Sequence, residues 1–285
     1  MAELLKGAPV AAALAERCTA DVEACKAAGV EPCLAILRVG ERSDDLSYER
    51  GATKRCEAVG VKVKNVVLPE EVDQRTMMAT IKELNEDASV HGILMFRPLP
   101  KQLDETACCE ALAACKDVDA ATNESLASVF TGFGEGYAPC TAQACMEILA
   151  HYGIDPKGKR AAVIGRSLVI GKPVSMLLMA ANATVTTCHT KTVDMPAITR
   201  EADIVVVAAG RMETIGEEYF KAGQTVIDVG IGWNDAKGKL CGDVKFDEAE
   251  PVVGAITPVP GGVGSVTTAV LVSHVVEAAK LAAGL

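Results

Sequence analysis

Short apolar runs alternate with longer helical patterns along most of the sequence, and this alternation restricts the fold more than any other feature. The run from Pro32 to Val39 is typical of a buried strand, and the run from Val61 to Leu68 partly alternates. Helical patterns extend from Val10 to Ala27 and from Ser47 to Val59, and the second ends at Gly60, a candidate C-cap. Strands that alternate with helices predict a parallel sheet covered by helices, and therefore an α/β fold.

The rhythm restarts after a looser stretch from Lys116 to Pro139 that is rich in Gly, Thr and Ser. A connecting helix is expected from Thr141 to His151, with Thr141 as a candidate N-cap. The 285 residues suit about two domains. The other predicted elements are helices from Asp73 to Asp87, Asp104 to Cys115, Pro173 to Ala181 and Thr267 to Ala282, and strands from Gly92 to Phe96, Arg160 to Ile164, Thr184 to Cys188, Asp203 to Ala208 and Thr225 to Val229.

Charge and composition exclude several classes of protein. The net charge is −10 and no block of Lys and Arg occurs, which argues against nucleic-acid binding. The early apolar run from Ala8 to Ala15 contains Pro9 and lies between Glu3 and Glu16, so it predicts a helix rather than a signal peptide. No segment approaches the roughly 18 unbroken apolar residues of a membrane span. We therefore expect no membrane association.

The eleven cysteines indicate a reducing compartment. Their number is odd and no pair has C-x-x-C spacing, so neither a zinc ribbon nor a thioredoxin-like motif is supported, and no metal is expected. Most lie inside apolar segments, where thiols behave as small hydrophobic side chains. The sequence therefore predicts reduced core cysteines in a cytoplasmic protein.

A glycine-containing loop joins a predicted strand to a predicted helix in the second half of the chain. Gly165 follows the strand directly, and Gly171 and Pro173 come where the helix begins. A glycine permits the sharp turn and the close approach of a phosphate, and the free N–H groups of a helix start bind an anion. Proline is tolerated in the first helical turn. The spacing is not G-x-G-x-x-G, so a plain strand–helix turn stays open beside nucleotide binding.

The residues after the next strand favour NADP over NAD. An NAD site usually has an acidic residue there that binds the ribose hydroxyls. Here the strand ends without an acid, and Arg166, Thr190 and Lys191 are candidates to meet a ribose phosphate. His189 is either a packed histidine or a cofactor contact.

Several segments, in order along nearly the whole chain, together resemble the methylenetetrahydrofolate dehydrogenase/cyclohydrolase family. They are Val39-Gly40 followed by Tyr48, Lys116-Asp-Val-Asp119, Pro139-Cys-Thr141, Val163-Ile-Gly-Arg-Ser167 with Gly171 and Pro173, Asn182-Ala-Thr-Val-Thr-Thr-Cys-His189, and Thr257-Pro-Val-Pro-Gly-Gly-Val-Gly264. The resemblance implies two α/β domains with a cleft between them, the second with a Rossmann-like parallel sheet.

The resemblance also implies a division of labour along the chain. Residues 1–138, completed by the C-terminal helix 267–285, would form a folate-binding catalytic domain. Residues 139–266 would form the NAD(P)-binding domain, through which two copies would associate as a homodimer. Tetrahydrofolate would be the one-carbon carrier, oxidised from the methylene to the methenyl form by hydride transfer.

Site residues follow from the same resemblance. Asp119 would hydrogen-bond the pterin ring, Tyr48 would line the folate pocket, and Ile231 would contact the cofactor. The folate pocket would contain Tyr48, Ala52, Met95, Phe96, Arg97 and Asp119, with the turn Pro258, Val259, Pro260, Gly261 and Gly262 closing over the substrate. The cofactor would be bound by Gly165, Arg166, Ser167, Gly171, Pro173, His189, Thr190 and Ile231.

The chain departs from the family at the residues that serve hydrolysis. Bifunctional members carry a lysine where this chain has Ala52, and a glutamine where it has Phe96, with Arg97 in place of the following leucine. Ser265-Val266 also replaces the family's Pro-Met, which alters packing near the folate. Hydride transfer needs positioning and the cofactor rather than a proton carrier. Hydration of the methenyl cation needs proton transfers, which alanine cannot supply.

We therefore expect a dehydrogenase without cyclohydrolase activity, whose product a separate cyclohydrolase consumes. Lys54 lies about 200° around the helix from Ala52, and a guanidinium is a poor base. A bifunctional enzyme that uses another proton-transfer group, such as Arg97 or Lys54, remains the first alternative. A non-catalytic nucleotide-binding scaffold subunit is the second. A hydroxy-acid dehydrogenase would need a His or Lys base that the pattern does not supply.

Overall fold

The structure, a computed structural model, describes residues 1–285, and the chain divides into two units. The first unit comprises Ala13–Cys140 and Thr268–Leu285, and the second comprises Met1–Ala12 and Thr141–Thr267. The first twelve residues thus group with the second unit, because β1 pairs in parallel with a strand of its sheet. The helices are α1 Gly7–Ala27, α2 Ser43–Val59, α3 Gln74–Glu86, α4 Glu105–Glu110, α5 Asn123–Thr131, α6 Cys140–His151, α7 Gly171–Ala180, α8 Met195–Glu201, α9 Phe246–Ala249 and α10 Thr267–Ala283. The strands are β1 Glu3–Leu4, β2 Cys33–Val39, β3 Lys62–Leu68, β4 Gly92–Met95, β5 Arg160–Ile164, β6 Thr184–Cys188, β7 Ile204–Val207, β8 Thr225–Asp228, β9 Gly232–Asn234, β10 Lys239–Cys241 and β11 Ala255–Ile256.

The first unit is built on a three-stranded parallel sheet with the order β3-β2-β4. All seven residues of the central strand β2 are buried, which explains its nearly unbroken apolar sequence. Helix α10 packs closely on β4, since a Cβ atom at Gly92 would lie 2.8 Å from the Cγ2 atom of Val275. The sheet and its helices therefore enclose one core.

The apolar sequence of helix α10 is explained by its position in the core of the fold. The stretch Val263–Ala283 is long and apolar enough to cross a membrane by length and composition alone. Nine residues of α10, from Ala269 to Ala279, are however buried within the fold. Buried core helices meet the same length and composition test.

The second unit contains a six-stranded sheet with the order β1-β11-β8-β7-β5-β6 and a separate β9–β10 hairpin. All neighbouring strands of the six-stranded sheet are parallel. The order β6-β5-β7-β8 is that of a doubly wound fold, whose ligands bind at the carboxyl ends of the strands where the winding reverses. That point lies between β5 and β7, directly before Gly165. The expected α/β class with a Rossmann-like parallel sheet is confirmed.

Local signals predicted several element ends correctly. Gly60 is the left-handed C-cap of α2, with φ 85°, as predicted. The side chain of Asp73 caps α3 by accepting the backbone N–H of Thr76 at 2.7 Å. Ten of the eleven cysteines are buried, in agreement with their interpretation as core thiols.

Other predicted boundaries were wrong, because contacts from distant residues set them. The helix expected from Asp104 to Cys115 ends at Glu110, where the side chain of Asn85 bonds the carbonyl of Ala111 and the N–H of Ala113. Helix α2 begins at Ser43 rather than Ser47.

The stretch from Lys116 to Pro139 was wrongly predicted to lack regular structure. It contains α5, which Thr122 caps by accepting the N–H of Ser125 at 3.0 Å. Thr141 does not cap α6, because that helix begins one residue earlier. Helices α8 and α9 and the short strands β1, β9, β10 and β11 were not predicted from the sequence.

Candidate active site

The loop after β5 can be formed only with glycine at its first position. Gly165 has φ 131°, and a Cβ atom there would lie 2.3 Å from the carbonyl oxygen of Ala208. Side chains rarely adopt this backbone conformation, and no Cβ atom fits the space. The predicted requirement for glycine at the turn is therefore confirmed by the geometry.

The start of α7 packs directly against this loop. A Cβ atom at Gly171 would lie 2.3 Å from the carbonyl oxygen of Gly165. Pro173 is buried in the first helical turn, and the Oγ of Ser167 accepts the N–H of Ile170 at 3.2 Å. Arg166 and Ser167 are exposed beside the helix start. Exposed polar side chains thus lie beside the start of α7, the end of a helix at which an anion is favoured.

The residues after β6 form a compact turn. The Nδ1 atom of His189 accepts the N–H of Lys191 at 3.1 Å, and the N–H of His189 donates to the Oγ1 of Thr192 at 2.8 Å. One ring nitrogen of His189 therefore has a local partner, which favours its interpretation as a packed histidine. Thr190 and Lys191 are exposed, as is Arg166 across the loop.

Two buried carboxylates that the sequence analysis missed organise the loops at the ends of β7 and β8. Asp228 accepts the backbone N–H groups of Gly230, Asp243 and Val244 at 3.0–3.1 Å. Asp243 accepts the N–H of Gly210 at 2.8 Å. Burial above all, with a smaller contribution from the nearby Asp243 charge, raises the pKa of Asp228 to about 7, against the lowering effect of the backbone donors.

A sequence signal for this pair exists in the neighbouring glycines. A Cβ atom at Gly230 would lie 2.3 Å from the Cγ of Asp243, and one at Gly242 would lie 1.9 Å from the Oδ2 of Asp228. Each carboxylate therefore packs where the other segment has a glycine. The signal in the sequence is a glycine next to each aspartate, Gly230 shortly after Asp228 and Gly242 directly before Asp243.

The other predicted contacts in the second unit lie at its surface. Ile231 follows Gly230 and is 59% exposed. The Asp228 carboxylate holds this loop, because it accepts the N–H of Gly230. Pro260 and Gly261 are exposed, while Pro258 and Val259 are partly buried. Gly262 is buried against the carbonyl of Pro258 within the same turn.

In the first unit, α2 and the end of β4 bring four of the predicted folate residues together. The Tyr48 and Phe96 rings meet edge to face, with centroids 5.8 Å apart. Ala52, one turn after Tyr48, is 0% exposed, and Met95 and Phe96 are also buried. The surroundings of the Tyr48 ring in this unit therefore include aromatic and apolar side chains.

Asp119 is the carboxylate of the same unit that was predicted to bind the pterin. Its Oδ1 accepts the N–H of Cys140 at 2.8 Å, so this carboxylate, 21 residues away in sequence, caps α6. Burial raises the pKa of Asp119, while the hydrogen bond from Cys140 and the positive charge of Arg97 lower it. Burial raises the pKa of the Cys109 thiol, and the positive charge of Arg97 lowers it. The structure therefore brings Arg97 near Asp119.

Neither Lys54 nor Lys116 is placed to replace the lysine that is missing at Ala52. Lys54 is exposed. The Nζ of Lys116 donates to the carbonyls of Leu84, Asn85 and Asp87 at 2.8–3.1 Å, which engages all three of its donors. Burial lowers the pKa of Lys116, yet its bonds make it a clamp on the end of α3.

Comparison with known proteins covers the whole chain. The tetrahydrofolate dehydrogenase/cyclohydrolase catalytic domain matches residues 5–119, and the NAD(P)-binding domain of the same family matches residues 139–283. The "Bifunctional protein FolD" of Carboxydothermus hydrogenoformans is 50% identical over 286 residues, covering 100% of both chains.

Solved structures agree. The bifunctional FolD of Campylobacter jejuni is 38% identical with a TM-score of 0.94, covering 99% of each chain. The Trypanosoma brucei methylenetetrahydrofolate dehydrogenase-cyclohydrolase, solved with NADP and an inhibitor, is 35% identical with a TM-score of 0.89, covering 98% of each chain. The chain described here therefore belongs to the tetrahydrofolate dehydrogenase/cyclohydrolase family of NAD(P)-dependent oxidoreductases.

Proposed function

We propose that this chain oxidises methylene-tetrahydrofolate to methenyl-tetrahydrofolate with NADP⁺ and does not hydrolyse the product enzymatically. The observation that carries the proposal is the contrast between two sets of residues. The loop of Gly165 and Gly171 and the carboxylate of Asp119 are in place, whereas the positions of the hydrolytic lysine and glutamine hold Ala52 and Phe96.

The turn at Gly165 and Gly171 suits a dinucleotide, because its glycines let the loop after β5 pack closely against Ala208 and the start of α7, as a dinucleotide-binding loop requires. NADP⁺ would supply the hydride acceptor. Arg166 and Thr190 would bind the ribose phosphate, and the missing acid at the end of β6 removes the usual contact to an unmodified ribose. Ser167, Pro173, His189 and Ile231 would shape the rest of this site.

Residues of the first unit would bind and orient the folate. Asp119 would accept hydrogen bonds from the donor-rich edge of the pterin. Tyr48, Ala52, Met95, Phe96 and Arg97 would line the pocket. The folate nitrogen beside the methylene carbon stabilises the cation that forms, so no side chain has to remove a proton.

Hydrolysis is the point on which residues and relatives disagree. The relatives carry the name bifunctional, which favours an enzyme with both activities and argues against a separate cyclohydrolase partner. In this chain Arg97 and Lys54 are the remaining candidates for proton transfer. A guanidinium keeps its proton, and Lys54 faces solvent. The missing pair therefore supports the dehydrogenase alone.

Two rates test the proposal. The purified chain is given methylene-tetrahydrofolate with NADP⁺ or NAD⁺ while reduced nicotinamide and methenyl product are followed; a second assay follows the decay of methenyl-tetrahydrofolate alone. We expect faster reduction of NADP⁺ and methenyl decay at the uncatalysed rate. Accelerated decay that either Arg97→Leu or Lys54→Ala abolishes, and the exposed control variant Arg50→Ala does not, would establish the bifunctional alternative. Folded protein that binds NADP⁺ without forming NADPH would be the scaffold subunit.

The homodimer is proposed to form through the second unit. Strand β6 is an edge of the six-stranded sheet, and its Thr184, Thr186 and Thr187 are exposed. A hollow of about 440 Å³ lies beside it, lined among others by Arg160, Thr184 and Ile198. An open strand edge pairs readily with another copy. Sedimentation velocity should give a dimer for the native chain and a monomer for Thr186→Arg; a native monomer contradicts the interface.

A further inference from the structure

Arg42, an exposed residue directly before α2, connects that helix to the segment that follows β4. Its Nη1 donates to the carbonyl oxygen of Pro98 at 2.8 Å, and its Nη2 donates to that of Arg97 at 3.4 Å. The same Nη2 donates to the Oδ1 of Asp45 at 3.1 Å. One guanidinium therefore holds two consecutive backbone carbonyls and a carboxylate of the first helical turn.

The two segments that Arg42 connects contain the predicted folate-binding residues of the first unit. Helix α2 presents Tyr48 and Ala52, and the segment bound by Arg42 follows Phe96, whose ring meets that of Tyr48. The segment also includes Arg97, whose charge acts on Asp119. Because the carbonyls lie outside the sheet ladder of β4, the sheet does not fix them. The fork of Arg42 ties them to the start of α2, while the N–H of Leu99, which donates to Glu105 at 2.7 Å, holds the next residue of the segment.

We propose that Arg42 is a positioning residue for the folate pocket: by holding the Arg97 and Pro98 carbonyls against the start of α2, it sets the place of the Arg97 side chain, whose positive charge lies near Asp119. The inference rests on the proposed function of this pocket and adds to it a residue that touches no substrate. A planar guanidinium suits the role, because its donors form a rigid fork that an ammonium does not provide.

A second ion pair shows why the effect should be local. Arg38 of β2 bonds the Oε2 of Glu49 at 2.7 Å, with side chains only 10% and 14% exposed. This pair attaches α2 to the central strand independently of Arg42. Removing Arg42 should therefore release the Arg97–Pro98 segment while leaving the helix in place.

The experiment measures binding and turnover in Arg42→Ala, Arg42→Lys and the matched control Arg50→Ala, an exposed arginine of the same helix. The readouts are the KM for methylene-tetrahydrofolate, the KM for NADP⁺, the melting temperature, and the Kd for tetrahydrofolate by calorimetry. We expect Arg42→Ala to raise the folate KM and Kd about tenfold, equivalent to about 1.4 kcal/mol, with the NADP⁺ KM within about twofold of native. Arg42→Lys should lie between, and Arg50→Ala should match the native chain.

An unchanged folate KM and Kd in Arg42→Ala would overturn the proposal, as would equal losses for both ligands together with a fall in melting temperature, which would mark a general structural role. If Arg42→Ala does not fold, Arg42→Lys and Asp45→Asn give the same comparison. Calorimetry keeps the two ideas separate: a native chain that binds tetrahydrofolate but does not reduce NADP⁺ refutes the proposed function, and the variants still decide the role of Arg42.

Discussion

The ring of Phe96 meets the ring of Tyr48 edge to face, with 88° between their planes and 5.8 Å between their centroids. This is a favourable aromatic geometry. Phe96 stands where bifunctional members of the family have a glutamine, and that glutamine would hydrogen-bond a lysine at position 52. This chain has Ala52 there, and Ala52 is fully buried. A phenyl ring offers an amine no hydrogen bond of that kind, so the two replacements are consistent with each other.

Restoring both residues should restore hydrolysis. In Ala52→Lys/Phe96→Gln, we expect methenyl-tetrahydrofolate decay to rise about 100-fold above the native chain, at the low end of what a positioned proton carrier contributes. Ala52→Lys alone should lower the melting temperature, because its ammonium would be buried without a partner. Phe96→Gln alone serves as the control and should hydrolyse no faster than native.

One result with the Ala52→Lys/Phe96→Gln variant would contradict this explanation of the missing hydrolysis. A double variant that folds, keeps its dehydrogenase rate and still fails to hydrolyse would mean that the missing pair does not explain the expected single activity.

Cofactor preference should depend on Arg166. Its side chain is exposed beside Gly165, and a charge-assisted bond to a ribose phosphate is worth about 1.5–3 kcal/mol. Arg166→Gln should therefore raise the KM for NADP⁺ about 10- to 100-fold and leave that for NAD⁺ nearly unchanged. Arg160→Gln, at the opposite end of β5, is the matched control. Equal changes for both cofactors would refute the phosphate contact.

The sequence identified what local chemistry decides. The loop from Gly165 to Pro173 was predictable because its turn, its close approach and its helix start all depend on residues within nine positions. Gly60 was predictable as a C-cap for the same reason. The nearly continuous apolar run of β2 likewise announced a strand buried on both faces.

The features that could not be predicted from the sequence depend on contacts between residues that are far apart in the chain. Asn85 ends α4 from 26 residues away, and Asp119 caps α6 across 21 residues. Asp228 and Asp243 meet only because β8 and the segment after β10 are brought together by the fold. Arg42 likewise acts on carbonyls more than 50 residues later. A pattern of helical or strand period carries no record of such pairs.

Asp119 should have two separable roles. Asparagine keeps an oxygen for the Cys140 N–H but no charge, whereas alanine removes both. We expect Asp119→Ala to lose about 1 kcal/mol of stability, the usual value of a helix cap, and to raise the folate KM. Asp119→Asn should keep most of the stability yet raise the KM similarly. Urea unfolding and initial rates measure the two effects.

The matched control for the capping role is Asp104, which caps α4 through the N–H of Ala107 at 3.0 Å. Asp104→Ala should lose similar stability without changing the folate KM. If Asp119→Asn binds folate as the native chain does, the carboxylate charge has no part in substrate binding.

The free energy of unfolding should decrease as the pH is raised from about 4 to about 7, because of Asp228. Its pKa is about 7 in the folded chain, against about 3.9 for an unperturbed aspartate. In that range the folded state holds a proton that the unfolded state has lost, so acidification stabilises the fold and raising the pH removes that stabilisation. The raised pKa of Asp119 acts in the same direction, so Asp228 accounts for part of the slope.

Urea unfolding at pH 5, 6, 7 and 8 therefore separates Asp228 from the rest. Asparagine carries no titrating proton, so Asp228→Asn should flatten the decline by at least about 1.4 kcal/mol, the value of one pKa unit. Its amide group would face the N–H of Val244, so the variant should also be less stable than native at pH 5, where the native carboxyl is protonated. Asp235→Asn, an exposed aspartate on the β9–β10 hairpin, should keep the native slope. An unaltered slope in Asp228→Asn would show that the carboxylate is ionised throughout, with its three backbone donors outweighing its burial.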